Sequence, residues 1–265
     1  MKSFLMLALM STLAFSQVYY SKVEPYEIRN ISSNVSGEVL DTSEDMLGKK
    51  LGSKVYIKID DTLDQDELND VKEKITFTQD TIEVNKKILK NLNLSLEKKE
   101  LNYEKVAALK IKSKIEKDNE FYDLVASRNS ALSTQKEINN LKIQLADLQL
   151  REKQLNKIIK DKNLNDKGFI LYSIDVKVGQ VVSAGTALAK VADVSKALLS
   201  IYLTEDELNT LDKKVVYIDE KKTSYKPTRV LRIADEKNIS KYLVQIVIDS
   251  PKVFSKLAKI ELKDK

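Results

Sequence analysis

Apolar residues recur at alternating intervals of three and four positions through the middle of the chain, from residue 68 to about residue 159. Two heptad frames fit this pattern. The first frame consists of Leu68, Ile75, Ile82, Leu89, Leu96 and Tyr103, with Val71, Thr78, Asn85, Leu92, Lys99 and Val106. The second consists of Leu124, Ala131, Ile138, Leu145 and Ile159, with Leu141, Leu148 and Leu155, and it is broken at Glu152. This spacing is typical of left-handed coiled-coil packing and predicts two helices of about 45 residues, each roughly 70 Å long.

The two predicted helices are expected to form an antiparallel hairpin over residues 62–164, in preference to two separate helices of a bundle. Residues 53–167 contain neither Gly nor Pro, the residues that most disfavour a helix interior. The midpoint of the segment lies at Lys114, and Ser113-x-x-Glu116 fits a capping box that would begin the second helix. Asp118 and Asn119 are alternative caps, so the sequence leaves the exact turn open.

Segments on both sides of the hairpin alternate apolar and polar residues, which is typical of β-strands. The strands are expected at Ile28–Val39 and Val55–Ile59 before the hairpin, and at Phe169–Val178 and Ala187–Val191 after it. Residues 30–61 and 165–193 are therefore predicted to form one discontinuous β-domain that the hairpin interrupts.

All six glycines fall in the two windows that flank the hairpin, and the windows share a spacing. Gly37–Gly48 and Gly168–Gly179 each span eleven positions, and an aliphatic residue, Leu51 or Val182, stands three positions beyond the second glycine. We interpret this as an internal repeat whose halves surround the helices. Glycine also marks tight turns. The turn glycines predicted for this domain are Gly37, Gly48, Gly168, Gly179 and Gly185.

Residues 17–29 and 194–265 are predicted to form a further small β-barrel domain. Thr204 is expected to cap a short helix that runs to Leu211, and Val18–Glu27 could supply one more strand. The other strand candidates are Ala197–Leu203, Val215–Ile218, Arg229–Ile233, Tyr242–Ile248 and Lys259–Leu262.

Residues 1–16 have the layout of a cleaved secretory signal. Lys2 supplies a positive charge, Phe4–Phe15 is an almost unbroken apolar run, and Ala14 and Ser16 are small residues ahead of a cut before Gln17. The apolar run is shorter than the roughly 20 residues that span a bilayer. No Cys follows it and no second hydrophobic stretch exists, so the sequence predicts a mature protein that is free in an extracytoplasmic space.

The composition excludes several kinds of chemistry. The chain has no Cys and no His, which removes thiolate catalysis and the commonest general base and metal ligand. The net charge of +5 is spread out with no basic block among aromatic residues, so nucleic acid is not an expected partner. No catalytic, cofactor-binding or metal-binding residue is predicted. In an alternative enzymatic hypothesis Asp60, Asp61 and Asp193 would act as acid, base or Mg²⁺ ligands, but each follows a strand, where Asp is expected as a cap.

Three segments resemble the HlyD-like membrane fusion proteins, which are the periplasmic adaptors of tripartite exporters. Ile31–Asp61 and Gly168–Asp193 are similar to the two halves of the family's lipoyl-like domain, the second through G-Q-V-V-S-A-G-T-A-L. Leu198–Leu211 resembles the first barrel strand and its short helix. The resemblance implies an α+β fold: a long antiparallel α-helical coiled-coil hairpin inserted in a split lipoyl-like β-sandwich, plus a small β-barrel domain.

The resemblance also implies a function without catalysis. Members of the family bridge an inner-membrane transporter and a TolC-type outer-membrane channel, and they assemble with themselves into a ring, which the resemblance suggests is a hexamer. The hairpin stands where lipoyl carriers have their modified Lys, so no cofactor is expected. A minimal adaptor for small-molecule efflux with an RND-type pump is favoured. The alternatives are an adaptor of an ABC-type or type I secretion exporter and a non-transport periplasmic coiled-coil protein.

In the family the hairpin tip docks with the channel through an Arg, a Leu and a Ser at fixed spacing. An alignment without gaps places Lys105, Leu109 and Glu116 at these three positions. Lys keeps the positive charge of Arg but lacks its planar fork, and Ser113 would take over the cap of a shorter tip. The candidate docking residues are thus Lys105, Leu109, Ser113 and Glu116. In the alternative interpretation Leu109 packs inside the tip and Lys105 is a solvated surface residue.

Overall fold

The computed structural model describes residues 17–234 and 240–264, so the leader predicted for residues 1–16 lies outside the described residues. Two long helices dominate this part of the chain, and a short third helix follows among the strands. The helices are α1 Thr62–Ala108, α2 Lys114–Lys162 and α3 Glu205–Thr210, with 3-10 turns at Glu44–Met46 and Leu211–Lys213.

The strands lie before and after the two long helices. They are β1 Gln17–Lys22, β2 Glu24–Ser32, β3 Gly37–Thr42, β4 Ile57–Ile59, β5 Asn163–Leu164, β6 Ile170–Ile174, β7 Val181–Val182, β8 Ala187–Leu203, β9 Lys214–Ile218, β10 Lys221–Lys222, β11 Pro227–Ala234, β12 Tyr242–Asp249 and β13 Leu257–Asp264. They form sheets of order β5-β4-β3-β7, β11-β12-β8-β2 and β1-β13-β9-β10, and β6 also pairs with β8. The predicted α+β fold with a long antiparallel hairpin is confirmed.

The seam between α1 and α2 follows the two predicted heptad frames. Every buried residue of the two helices belongs to one of them: Leu68, Val71, Thr78 and Ile82 on α1, and Leu124, Ala131, Ile138 and Leu155 on α2. Packing is closest near the β-domain, where Leu68, Val71 and Leu155 form a cluster of their own. At 1.5 Å per residue, the 47 residues of α1 extend about 70 Å.

The predicted internal repeat is confirmed by reciprocal pairing of its two halves. Gly37 of the first half pairs with Val182 of the second. In the same way the Gly168 N–H of the second half donates to the Leu51 carbonyl of the first, at 2.9 Å. Each half therefore completes the other across the inserted hairpin, and their aliphatic residues share one core.

The glycines of the repeat serve two different purposes. Gly48, Gly168, Gly179 and Gly185 have positive φ, as turn glycines do. Gly37 differs from the prediction, because it is the first residue of β3 and no turn passes through it. A Cβ atom at Gly37 would lie 2.6 Å from the Cγ2 atom of Ile59, so close packing against the neighbouring strand requires glycine there.

Two strand predictions are corrected. The predicted strand Ile28–Val39 is two strands, β2 and β3, because the Ser33 hydroxyl accepts a hydrogen bond from the Val35 N–H and donates one to the Val35 carbonyl, which makes a turn. The predicted strands Ala187–Val191 and Ala197–Leu203 are halves of the single strand β8. The polar residues between them interrupt the apolar pattern but not the strand.

Strand β8 connects two hydrophobic cores. Leu188 and Val191 in its first half belong to the core of the split β-domain, and Leu199 and Ile201 in its second half belong to the core of the C-terminal sheets. Strand β2 runs antiparallel to both halves. The boundary predicted between residues 193 and 194 therefore falls inside one continuous strand.

Candidate functional site

The hairpin turn occupies residues 109–113, between the end of α1 and the start of α2. Leu109 leaves the helical conformation, with φ −75° and ψ 123°, although its N–H still donates to the Val106 carbonyl. The backbone then turns back, and Ser113 begins α2 as its N-cap. The turn is thus short, and the tip is the far end of the paired helices.

The capping box predicted at Ser113 and Glu116 is confirmed. The Glu116 N–H donates to the Ser113 hydroxyl at 3.3 Å, and the Ser113 N–H donates to Glu116 Oε2 at 2.9 Å. The Lys112 ammonium donates to the other carboxylate oxygen at 2.8 Å. Hydrogen bonds from Lys112 and then Ser113 lower the pKa of Glu116 to about 2. The alternative caps at residues 118 and 119 are excluded, since both lie inside α2.

The four candidate docking residues therefore divide into two pairs. Ser113 and Glu116 are bonded to each other and hold the start of α2. Lys105 and Leu109 lie at the surface, Leu109 with 43% of its area exposed. The interpretation that Leu109 is packed inside the tip does not agree with this exposure.

The most exposed apolar residues of the tip are ones that the heptad pattern did not indicate. Ile111 is 89% exposed and Ile115 is 73% exposed, and neither belongs to a heptad frame. The available signal was the alternation of aliphatic and basic residues in Leu109-Lys110-Ile111-Lys112, which contributes nothing to a helix seam. Leu109, Ile111 and Ile115 are thus three exposed aliphatic residues within seven positions. Grouped exposed apolar residues mark contact surfaces, whereas single ones are ordinary.

Polar contacts join the two helices just behind the tip. Lys99 occupies a seam position, and its ammonium lies 2.8 Å from the Asp123 carboxylate and 2.8 Å from the Ser127 hydroxyl. Arg128 pairs with Glu100 across the same seam at 2.8 Å. These bonds satisfy the polar seam residues, so the helices remain paired where few apolar side chains are buried.

The hairpin base is fixed by a buried carboxylate. Asp61 is 6% exposed, and its Oδ2 accepts hydrogen bonds from the Asn163 amide at 2.7 Å and the Gln65 amide at 3.3 Å. Burial by itself raises the pKa of Asp61, but these hydrogen bonds and the Lys58 charge outweigh it, and the net pKa is lowered. Asp61 thus links the start of α1 to the end of α2 as an ion.

A second link at the base joins the β-domain to the residues after α2. Tyr56 is fully buried, and its hydroxyl donates to the Asp166 carboxylate at 2.5 Å. Burial, and then the Asp166 hydrogen bond, raise the pKa of Tyr56. The hydroxyl therefore stays protonated and the link does not depend on pH in the neutral range.

Two of the three aspartates of the enzymatic hypothesis, Asp60 and Asp193, accept local hydrogen bonds, although Asp193 lies inside strand β8 and does not follow a strand as expected. Asp60 accepts hydrogen bonds from the Thr62 hydroxyl and N–H, and Asp193 accepts one from the Ser195 N–H at 2.8 Å. Within the described residues there is no group of three or more acidic side chains that could hold a metal ion. The described part of the chain also contains no helix that is long and apolar enough to cross a bilayer.

Known proteins resemble this chain in structure but not in sequence. No protein-family model and no curated protein matches the sequence. The structure is similar to MacA from Actinobacillus actinomycetemcomitans, with 16% identity, a TM-score of 0.63, and coverage of 94% of this chain and 79% of that one. It is also similar to the membrane fusion protein Spr0693 from Streptococcus pneumoniae R6, with 12% identity, a TM-score of 0.61, and coverage of 94% and 100%.

A third similar structure is a MacA-MexA chimera that contains the Pseudomonas aeruginosa MexA α-hairpin domain. It shares 16% identity and a TM-score of 0.53, and the match covers 94% of this chain and 81% of the chimera. All three resemble the chain over both its helical and its β parts. The chain therefore has the fold of the membrane fusion proteins, in agreement with the sequence resemblance.

Proposed function

We propose that this chain is a periplasmic adaptor that bridges an inner-membrane pump and a TolC-type outer-membrane channel for the efflux of small molecules. The observation that carries the proposal is the hairpin itself. Its two helices extend about 70 Å from a β-domain that fixes their base, and they end in a capped turn. Such an arm can span a distance between partners, whereas the described residues contain no cluster suited to metal-assisted chemistry.

The remaining parts of the proposal follow the sequence resemblance. Copies of the chain assemble into a ring, of six subunits as the resemblance suggests, and the hairpin tips contact the channel. The protein has no enzymatic activity, and energy comes from the pump. An RND-type pump is the preferred inner-membrane partner, and co-purification of the tagged chain with its transporter identifies the pump class.

Site-specific crosslinking in cells tests the contact with the channel. The chain has no native Cys, so single cysteines report one position each. A cysteine in place of Leu109 at the tip is expected to crosslink to the outer-membrane channel. A cysteine in place of Lys87, which is exposed in the middle of α1, is the matched control and should not. Equal trapping at both positions, or none at either, would contradict channel docking by the tip.

A further inference from the structure

The exposed side chains of the tip are not the same residues as the docking residues expected from the family alignment. Ser113 and Glu116 are occupied with capping α2, and any partner that took their hydrogen bonds would release the start of that helix. The most exposed apolar side chains of the tip are Ile111 and Ile115. A contact made by this tip must therefore bury these two isoleucines first.

The same turn is strongly basic. Residues 105–117 contain five Lys and one acidic residue, Glu116. Two of the lysines are engaged, because Lys112 pairs with Glu116 and Lys117 donates to the Ala107 carbonyl at 2.8 Å. Lys110 comes directly before Ile111 and Lys114 three positions after it, and neither makes a hydrogen bond or ion pair with any described residue. Two lysines close to Ile111 in the sequence are thus available to a partner.

We propose that this tip recognises an apolar recess bordered by carboxylates on the outer-membrane channel, with Ile111 filling the recess and Lys110 and Lys114 pairing with the carboxylates. The inference rests on the proposed function and replaces the contact residues taken from the family alignment. Opposite charges around an apolar centre set the register of a contact and speed encounter. Because a ring presents several tips at once, a small contact per subunit is multiplied.

The shape of the patch favours a protein recess over a lipid surface. A basic segment that lies on a membrane is an amphipathic helix with a broad apolar face. Here the exposed aliphatic side chains are only three: Leu109 and Ile111 lie in a five-residue turn, and Ile115 follows on the first turn of α2. So small an aliphatic group with basic residues beside it suits a recess of matching size.

Carbodiimide crosslinking tests the proposal, because it joins a Lys amine directly to a carboxylate in contact with it. The full chain is mixed with the purified channel from the same cells, and crosslinks are mapped by mass spectrometry. We expect links from Lys110 or Lys114 to Asp or Glu of the channel. The double variant K110Q/K114Q should bind about tenfold more weakly at low salt, and the difference should shrink at high salt. I111S should weaken binding at every salt concentration.

Matched controls separate the possible outcomes. K87Q/K90Q removes two exposed lysines from the middle of α1 and should bind like the wild type. If K105Q and L109S weaken binding while K110Q/K114Q and I111S do not, the inference is wrong and channel docking stands. If the wild type binds vesicles rich in phosphatidylglycerol but not the channel, a lipid surface is the partner and the inference is wrong. If the variant Leu109→Cys does not crosslink to the channel in cells, the proposed function itself is wrong.

Discussion

The base and the tip of the hairpin are built in opposite ways from the same two helices. At the base Leu155 is fully buried against Leu68 and Val71, and the carboxylate of Asp61 is buried with its hydrogen bonds satisfied. At the tip the most exposed aliphatic side chain, Ile111, is almost fully exposed. Among the described residues the helices are held there by the cap, by surface polar contacts such as Lys117 to the Ala107 carbonyl, and by the contact of the Tyr103 and Phe121 rings.

This difference indicates that the base of the arm provides stability and the tip provides contacts with partners. Apolar burial stabilises the base and fixes the direction in which the helices leave the β-domain. Polar bonds in the tip satisfy the backbone without burying the apolar side chains, which stay available for a partner. Substitutions at the base should therefore affect stability, and substitutions at the tip should affect contacts.

The largest effect is expected at the base. Leu155→Ala removes a fully buried side chain, so the free energy of unfolding should fall by about 2–5 kcal/mol. Leu150→Ala, on an exposed face of the same helix, should change it by less than about 0.5 kcal/mol. Urea unfolding followed by circular dichroism measures both. Equal losses would show that the base is no better packed than the arm surface.

The sequence predicted the base far better than the tip. Leu155 belongs to a heptad frame, and burial follows such periodicity directly, because one stripe of each helix must face the other. The capping box was also predictable, since Ser113 and Glu116 bond within one turn. The exposure of Ile111 could not be predicted from periodicity, because a turn residue has no periodic neighbours, and the alternation of aliphatic and basic residues around it was the one signal. The joining of two predicted strands into β8 was missed as well, since polar residues such as Asp193 in its middle suggested a loop.

The polar link at the base gives the next largest effect. Asp61→Ala removes the buried acceptor shared by the Asn163 and Gln65 amides, and Asn163 keeps only its bond to the Ile159 carbonyl, so the free energy of unfolding should fall by about 1–3 kcal/mol. Asp66→Ala, which removes an exposed carboxylate one turn further along α1, is the control and should be nearly neutral. If Asp66→Ala lowered the free energy of unfolding as much as Asp61→Ala does, the role given to Asp61 would be wrong. Thermal and urea unfolding report the change.

At the tip a smaller and local effect is expected. Ser113→Ala removes the N-cap of α2 and should cost about 1 kcal/mol, expressed as faster hydrogen exchange of the first amides of α2. Ser133→Ala, at an exposed position in the middle of α2, should leave these amides unchanged. Unchanged exchange in the Ser113 variant would show that the cap does not hold the tip.

The smallest effect is expected from protonation of the Glu116 carboxylate at the tip. The pKa of Glu116 is lowered to about 2 from a model-compound value of 4.5, so its contribution to the cap is present above about pH 4.5 and is lost as the pH falls toward 2. Carbon NMR of the side-chain carboxyl should show the lowered pKa. It should return toward 4.5 when Ser113 and Lys112 are both replaced by Ala. An ordinary pKa in the wild type would contradict the bonded geometry.

Electron cryomicroscopy of the complex purified through this chain from cell membranes would show the proposed bridge itself. We expect a ring of copies whose β-domains lie toward the pump and whose hairpin tips, with residues 109–115 at the contact, meet the outer-membrane channel. Density that shows the tips free, or packed against another protein while the channel is absent, would contradict it.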